Sequence, residues 1–488
     1  MKINIIAAIL IISSLTASFQ ASAQDDKTIG KMEAGIGISA MLPSRDTLPF
    51  WATANKHGMM PENGGAILNY TLRSYIDESS RNFQLGFGLS GAAYWTDKNK
   101  KSLTDNIYGS IKKGIFRLDF GKHAREYYYD GIYHRTRDYA GLSISNGDII
   151  YSGNARTLPG CNFMVEPFKV PFTNGIVRLY GNFADYKMKD NRYMHGARLH
   201  NSSLFANVKI GSRLNASAGL EDWAEWAGSD PDGNKSPAGF KDYIRVIFGR
   251  KGGKNASESD QINVLGNHLG RILCKLDYRG DGYKASIAMD HPYEDGSGTT
   301  LHNFPDAVWT IYAGSDDKDR WISDAVFEFI YTKSQSGRYH TKPGTNIVIG
   351  GDDNYFNNGE YRSGWTYYGR TLGAPLITPR EKNAQGMTLG VCNNRIEAYN
   401  MGIRGKIAHI MPYSLKLTYS KNYGMYNATY AIFDSVPHQF SLGLDGELPH
   451  SICKHIIFTY GLYADSGDLY KDCVALSLGM KVVFGHHD

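Results

Sequence analysis

Trp223, Trp226, Trp365, Tyr367, Tyr368 and Arg370 crowd two kinds of chemistry into short stretches. Indole and phenol rings offer flat apolar faces with a polar edge. The Arg370 guanidinium and neighbouring Asn, Asp and Glu side chains offer planar hydrogen-bonding groups. That pairing suits sugar rings and their hydroxyls, and with an acidic glycan the arginine becomes a carboxylate clamp. The same aromatics also suit a membrane-interface girdle or the packing of a plug. Arg156 is expected in a lumen, paired with a carboxylate. Asp230, Asp232 and Asn234 begin like a calcium loop, but the rest of that pattern, including its terminal Glu, is missing. A solvated acidic turn is the simpler reading. No G-x-S-x-G, H-E-x-x-H or phosphate-loop motif occurs, and the spacing of His123, Asp222 and Ser297 ties them to no common site. No catalytic residue, metal or cofactor is therefore expected.

Strands must position these residues. Phe83, Leu85, Phe87 and Leu89 alternate with polar or glycine positions, as do Phe116, Leu118 and Phe120. Leu204 to Ile210, Leu214 to Leu220, Tyr283 to Met289, Leu415 to Tyr419, Phe440 to Leu444 and Val474 to Phe484 repeat the pattern. Period two puts the apolar set on one face and Gly, Ser, Asn, Lys, Arg and Asp on the other. A soluble sandwich and a transmembrane barrel both satisfy this. Several runs reach the roughly 9–11 residues that a tilted strand needs to cross a bilayer. Ile210–Leu214 and Tyr278–Tyr283 read as tight hairpins. The stretches at about 122–140, 222–262, 291–320 and 333–385 read as long loops. Short turns at one end and long loops at the other predict an all-β transmembrane antiparallel barrel of 16–18 strands, its long extracellular loops plugging the lumen.

The 488 residues hold 33 Tyr and 54 Gly, and no apolar stretch after the first two dozen residues is long enough for a membrane helix. The apolar run Ile5–Ile12 followed by Ala21-Ser22-Ala23 reads as a signal peptide over 1–23. Residues 24–64 form a short segment in which Met32–Ala40 already reads as a strand, and 65–488 form the barrel. The formal net charge of +5 is too small to suggest nucleic acid. Five cysteines without a C-x-x-C pair argue against zinc; of a C-terminal disulfide and isolated apolar thiols, the second fits better.

Five stretches occur in the order found in the capsule assembly Wzi family of outer-membrane proteins, and together they resemble it. They are Phe120-Gly121-Lys122 leading to Ile149 through Gly160, which holds Ser152-Gly153-Asn154-Ala155-Arg156; Gly219 through Gly228; Phe240–Gly249 with Gly266-Asn267-His268-Leu269; Asp290–Gly298; and Asp352–Pro375. The resemblance implies a barrel of about eighteen strands at the cell surface of a Gram-negative bacterium. It would be lectin-like rather than enzymatic, helping capsular polysaccharide attach to the outer membrane. Two departures stand out. The room before the barrel is too short for a helical bundle, and a segment expected to be Trp-rich after Gly121 is here Tyr127-Tyr128-Tyr129. Those tyrosines join the candidate polysaccharide contacts. The implied partners are surface polysaccharide and outer-membrane lipid, with the chain a monomer. A porin-like uptake channel and an outer-membrane hydrolase remain the alternatives.

Overall fold

A computed structural model describes residues 31–77, 80–124, 144–294, 296–338, 340–341, 343–349, 351, 353–426, 433–448 and 456–485. The predicted signal peptide and Tyr127, Tyr128 and Tyr129 lie outside the described residues.

Eighteen antiparallel strands close into one barrel. In chain order they are β1 Met32–Pro43, β2 Gly65–Ser74, β3 Gln84–Trp95, β4 Lys100–Lys113, β5 Phe116–Lys122, β6 Pro159–Lys169, β7 Val177–Lys187, β8 Arg198–Ile210 and β9 Leu214–Trp226. They continue as β10 Asn267–Arg279, β11 Tyr283–Tyr293, β12 Ala307–Ser315, β13 Asp324–Tyr331, β14 Ile396–Ile407, β15 Met411–Asn422, β16 His438–Glu447, β17 Ile456–Gly467 and β18 Cys473–Gly485. Each pairs with its sequence neighbour, and β1 closes on β18 from Glu33↔Gly485 to Pro43↔Ala475. Closure leaves no free sheet edge, which is what hydrocarbon demands of a backbone. The barrel thus begins at Met32 and takes in part of the segment assigned to 24–64.

The period-two pattern sorts the two faces as expected. Ile111, Phe120, Leu204, Leu220, Ile311 and Leu478 are exposed and sit around the outside. No helix among the described residues is long and apolar enough to span a bilayer; the strands do so, in an outer-membrane-type barrel. Residues 114–115, 211–213, 280–282 and 408–410 make tight turns at one end, where both described chain ends also lie. The long connections from β1 to β2, β5 to β6, β9 to β10 and β13 to β14 start and end at the other, extracellular end.

All four predicted loops shift. The predicted loop 291–320 starts inside β11 and contains β12, the predicted loop 222–262 starts inside β9, and after the predicted loops 122–140 and 333–385 the next barrel strands start only at Pro159 and Ile396. Four short helices decorate the loops: α1 Phe50–Thr53, α2 Phe240–Ile247, α3 Glu258–Ile262 and α4 Gly296–Thr299.

Candidate functional site

Three loop segments fold back into the outer half of the lumen: 44–64, 144–158 and 353–394. Their buried side chains, Trp51, Ile149, Ile150, Tyr355, Phe356, Trp365, Leu372 and Ile377, form one apolar core with inward residues of the wall. Those wall residues include Ile67, Leu103, Ala184, Leu199, Trp223, Leu269, Ile330, Ala398, Tyr463 and Ala475. With Met41, Ala92, Tyr94 and Val308 they come from thirteen strands, β1–β4, β7–β10, β12–β14, β17 and β18, so the core spans the barrel from wall to wall. Wall glycines admit the plug backbone. A Cβ on Gly402 would stand 2.1 Å from the Ile144 carbonyl oxygen, and one on Gly443 would stand 2.6 Å from the Trp51 Cβ.

Polar latches fix the plug to the wall. Arg271 of β10 is fully buried and reaches Glu221 at 2.9 Å and both Asp148 and Asp290 at 3.0 Å. Burial pushes the Asp148 carboxyl up to about 7, with Arg271 pulling it down and Asp290 and Glu221 adding to the rise. Glu328 of β13 accepts from the Asn146 backbone N–H and Asn400 Nδ2, both at 2.8 Å, and from the Ser145 hydroxyl. Arg192 joins Asp190 at 3.0 Å to Glu225 of β9 at 2.5 Å. The Phe50 N–H donates to Asp465 at 2.8 Å, and Trp51 Nε1 donates to Thr418 at 3.1 Å. An irregularity in the β3–β4 register skips Asp105, which then meets His57 of the plug at 3.0 Å. A bulge re-aims a side chain in this way.

The Ser152–Arg156 stretch clasps the three segments together. The Ser152 hydroxyl donates to the Gly373 carbonyl at 2.7 Å, and Asn154 Nδ2 donates to Thr371 Oγ1 at 2.9 Å. The His57 backbone N–H donates to the Gly153 carbonyl at 2.6 Å, and Ala155 is buried in the core. Arg156 ends the clasp with its guanidinium 4.2 Å from the centre of the Tyr368 ring. That stacking replaces the expected carboxylate partner; among the described residues Arg156 has no ion pair.

The candidate aromatics separate. Trp223 and Trp226 stand three positions apart on a strand, so they face opposite sides. Trp223 points inward, stacked on Tyr151 at 4.4 Å with Trp365 edge-on at 6.4 Å. Trp365 donates Nε1 to the Ile150 carbonyl at 2.7 Å, and Tyr367 is buried beside it. Trp226 points outward, stacked on Tyr243 at 5.1 Å. Arg370 donates to the Thr53 carbonyl at 3.3 Å. Tyr368 alone of the described set keeps an exposed ring, at 39 %.

Around Tyr368 and Arg156 lies a feature that sequence spacing could not reveal. The Arg156 charge acts on Lys101, Lys122 and Arg370, Lys382 acts on Lys101, and Lys189 acts on Lys122. Burial holds the Arg370 guanidinium below its ordinary value; Glu62 opposes this and Arg156 adds to it. Six cations from five separate stretches therefore lie within electrostatic reach of one another near the outer mouth, with Glu62 among them and one exposed aromatic face beside them. Asp105 and Asp190 nearby are engaged by His57 and Arg192.

Other candidates are quieter. Asp230 accepts from the Asn234 backbone N–H at 2.8 Å, an ordinary exposed turn. No metal-holding cluster occurs among the described residues. His268 spends one ring nitrogen on Asp222 at 3.0 Å and the other on the Leu265 carbonyl at 3.2 Å, so it activates no nucleophile. His123 pairs with Asp119 at 3.1 Å, away from Asp222. Cys161, Cys274, Cys392 and Cys473 are free thiols.

No family model matches the chain, and no curated protein sequence matches it. Solved structures with a similar fold include OprD of Pseudomonas aeruginosa, at 9% identity and TM-score 0.46, covering 95% of this chain and 98% of that one. OccK3 (OpdO) of the same organism has 9% identity and TM-score 0.45, over 93% and 96% of the two chains. OccAB3 of Acinetobacter baumannii has 10% identity and TM-score 0.43, over 93% and 99%. These are likenesses of barrel architecture alone.

Proposed function

We propose that this chain is a stoppered outer-membrane barrel that holds an acidic surface polysaccharide at its outer mouth, helping capsular polysaccharide attach to the cell. The observation that carries the reading is the wall-to-wall core. Among the described residues, Trp51, Trp223, Trp365 and their neighbours fill the outer half of the lumen with apolar side chains, which favours the outer surface as the useful one. The basin of Arg156, Lys101, Lys122, Lys189, Lys382 and Arg370 supplies cations for carboxylates or sulfates along a glycan. Tyr368 supplies a ring face for a sugar. The ordered motifs resembling the capsule assembly Wzi family support the same reading, and Ser152–Arg156 acquires a reason: it builds the plug and ends in the basin.

The alternative, a channel for solute uptake, draws on the polar inward face and requires the plug to move. The deciding experiment deletes the gene in its host and separates cell-bound from released polysaccharide, with planar-bilayer conductance of the purified protein measured alongside. Attachment predicts unchanged total polysaccharide shifted to the medium, and a silent bilayer. Unchanged retention with steady single-channel currents would overturn the proposal in favour of the channel.

A further inference from the structure

A second recess lies on the outer wall of the barrel, separated from the lumen by the sheet. It has a volume of about 660 Å³ and is lined by Cys161, Asp185, Lys187, Arg198, Trp226 and Phe240, among others. Its height is set by the strands. Phe163 and Phe183, each two residues further down β6 and β7 from Cys161 and Asp185, are exposed on the apolar exterior. Two residues along a strand is about 7 Å, so the recess begins where the hydrocarbon ends. At the extracellular end, that is the headgroup layer of the outer leaflet.

The roof is α2, with its following loop. Trp226, Ala224 and Leu265 pack with Val246 in a small core on the barrel exterior, so the helix rests against the outside of the wall. Phe240 and Phe248 at its two ends are 79 % and 65 % exposed. A short amphipathic helix with bare aromatics at this level is built to lie in a membrane surface.

The charge in the recess is unspent. Lys187, Lys189 and Arg198 are exposed, and none has an ion-pair partner among the described residues. Arg198 lies 5.2 Å from the centre of the Trp226 ring. The one carboxylate, Asp185, is already engaged by the Tyr243 hydroxyl at 2.5 Å and by His200 Nδ1 at 3.2 Å. Trp226 is 3 % exposed and buries its indole N–H without an acceptor. Free cations, a spare buried donor and an apolar floor at headgroup height fit an anionic group carried on acyl chains.

We propose that this recess binds the phosphorylated sugar headgroup of an outer-leaflet glycolipid, with Lys187 and Arg198 on the phosphate and Phe240 beside the acyl chains. The lipid would anchor α2 and orient the barrel rim. Lys189 stands on the border with the mouth basin and is left unchanged in the test, so failure here is separable from failure of the polysaccharide reading.

The full-length protein is placed in phosphatidylcholine nanodiscs doped with an acylated, bisphosphorylated diglucosamine lipid, or with the same lipid stripped of phosphate. Bound lipid is then counted by native mass spectrometry. The expected result is retention of the phosphorylated lipid, with a preference over the stripped form on the order of tenfold or more from two cations. K187A/R198A should lose that preference while keeping the gel mobility of a folded barrel. F240S, which keeps both cations, should lower retention of either lipid. Equal retention of both lipids by the wild type, or an unchanged preference in the double variant, would overturn the proposal. So would displacement of the lipid by inorganic phosphate at comparable concentration, which would make the recess a site for free anions.

Discussion

Replacing Arg271 with Met should unlatch the plug, and acid should latch it again. Arg271 is fully buried and is the shared cation for Glu221 and Asp290 on the wall and Asp148 on the plug. Methionine keeps much of the volume and removes the charge. Three carboxylates would then face one another without their cation, and stranding a buried charge costs about 3–5 kcal/mol. The barrel itself is held by eighteen ladders and should survive; the penalty falls on the docking of 144–158. At neutral pH the variant should pass intermittent current in a planar bilayer, and the wild type should be silent there. Asp148 already titrates at about 7 because of burial and its carboxylate neighbours. A carboxyl raised in this way favours the folded, protonated form as pH falls, so lowering the pH to about 5 should neutralise the cluster and close the variant. R271M that stays silent at every pH would refute the latch. R271M that conducts equally at pH 5 and 7 would refute the assignment of the cost to stranded carboxylates.

Trp365→Ala removes a fully buried indole and its hydrogen bond to Ile150, at about 3–5 kcal/mol; added protease should then cut within 333–394 in intact cells, and an uncut loop would contradict the packing. Arg156→Ala combined with Lys382→Ala should lower retention of an acidic glycan by roughly three- to tenfold at low salt, with the difference shrinking at high salt; the measurement is cell-bound polysaccharide. Asp306 accepts from the N–H groups of Ser334 and Gln335, both at 2.7 Å, yet burial pushes its carboxyl up to about 6 from 3.8. The folded state therefore holds that proton more tightly. Resistance of the 332–395 loop to proteolysis should rise as pH falls from about 6 toward 4, by at most about 3 kcal/mol, and Asp306→Asn should flatten the slope. Cys161 is exposed at the outer end of β6 and Cys473 is buried; a membrane-impermeant maleimide added to intact cells should label the first and spare the second.

The barrel was legible because its signal is local. A period of two needs no knowledge of partners, and Phe116, Leu118 and Phe120 announce their face within five residues. Turn chemistry is local too, so Gly211-Ser212-Arg213 and Gly280-Asp281-Gly282 could be placed. β12 hides inside a predicted loop because Ala307–Ser315 is short and follows a Gly- and Asn-containing stretch that reads as coil. The plug was expected from loop length alone; which residues make it was not legible. Trp365 meets Ile150 across 215 positions of chain, and Ser152 meets Gly373 across 221. No spacing rule reaches that far. The Trp-rich clusters misled for a different reason: adjacency in sequence on a strand separates side chains, and Trp223 and Trp226 end on opposite faces.

A usable signal for the plug was nonetheless present in the strands. An open aqueous lumen asks every inward position to be polar. Here the inward positions near the extracellular ends carry Trp223, Leu269, Ile330, Ala398 and Tyr463, while those nearer the short turns carry Lys112, Asp119, Lys275 and Asp277. Apolar side chains facing a lumen are stable only if something apolar covers them, so the residues themselves call for a plug at that height. The charged inward residues at plug level, Glu221, Arg271, Asp290 and Glu328, then read as latches, because each bonds to an atom of 144–158 or to a neighbour that does. The same polar face that suggests a channel in a strand-by-strand reading becomes, once the apolar inward residues are counted with it, the seat of a stopper.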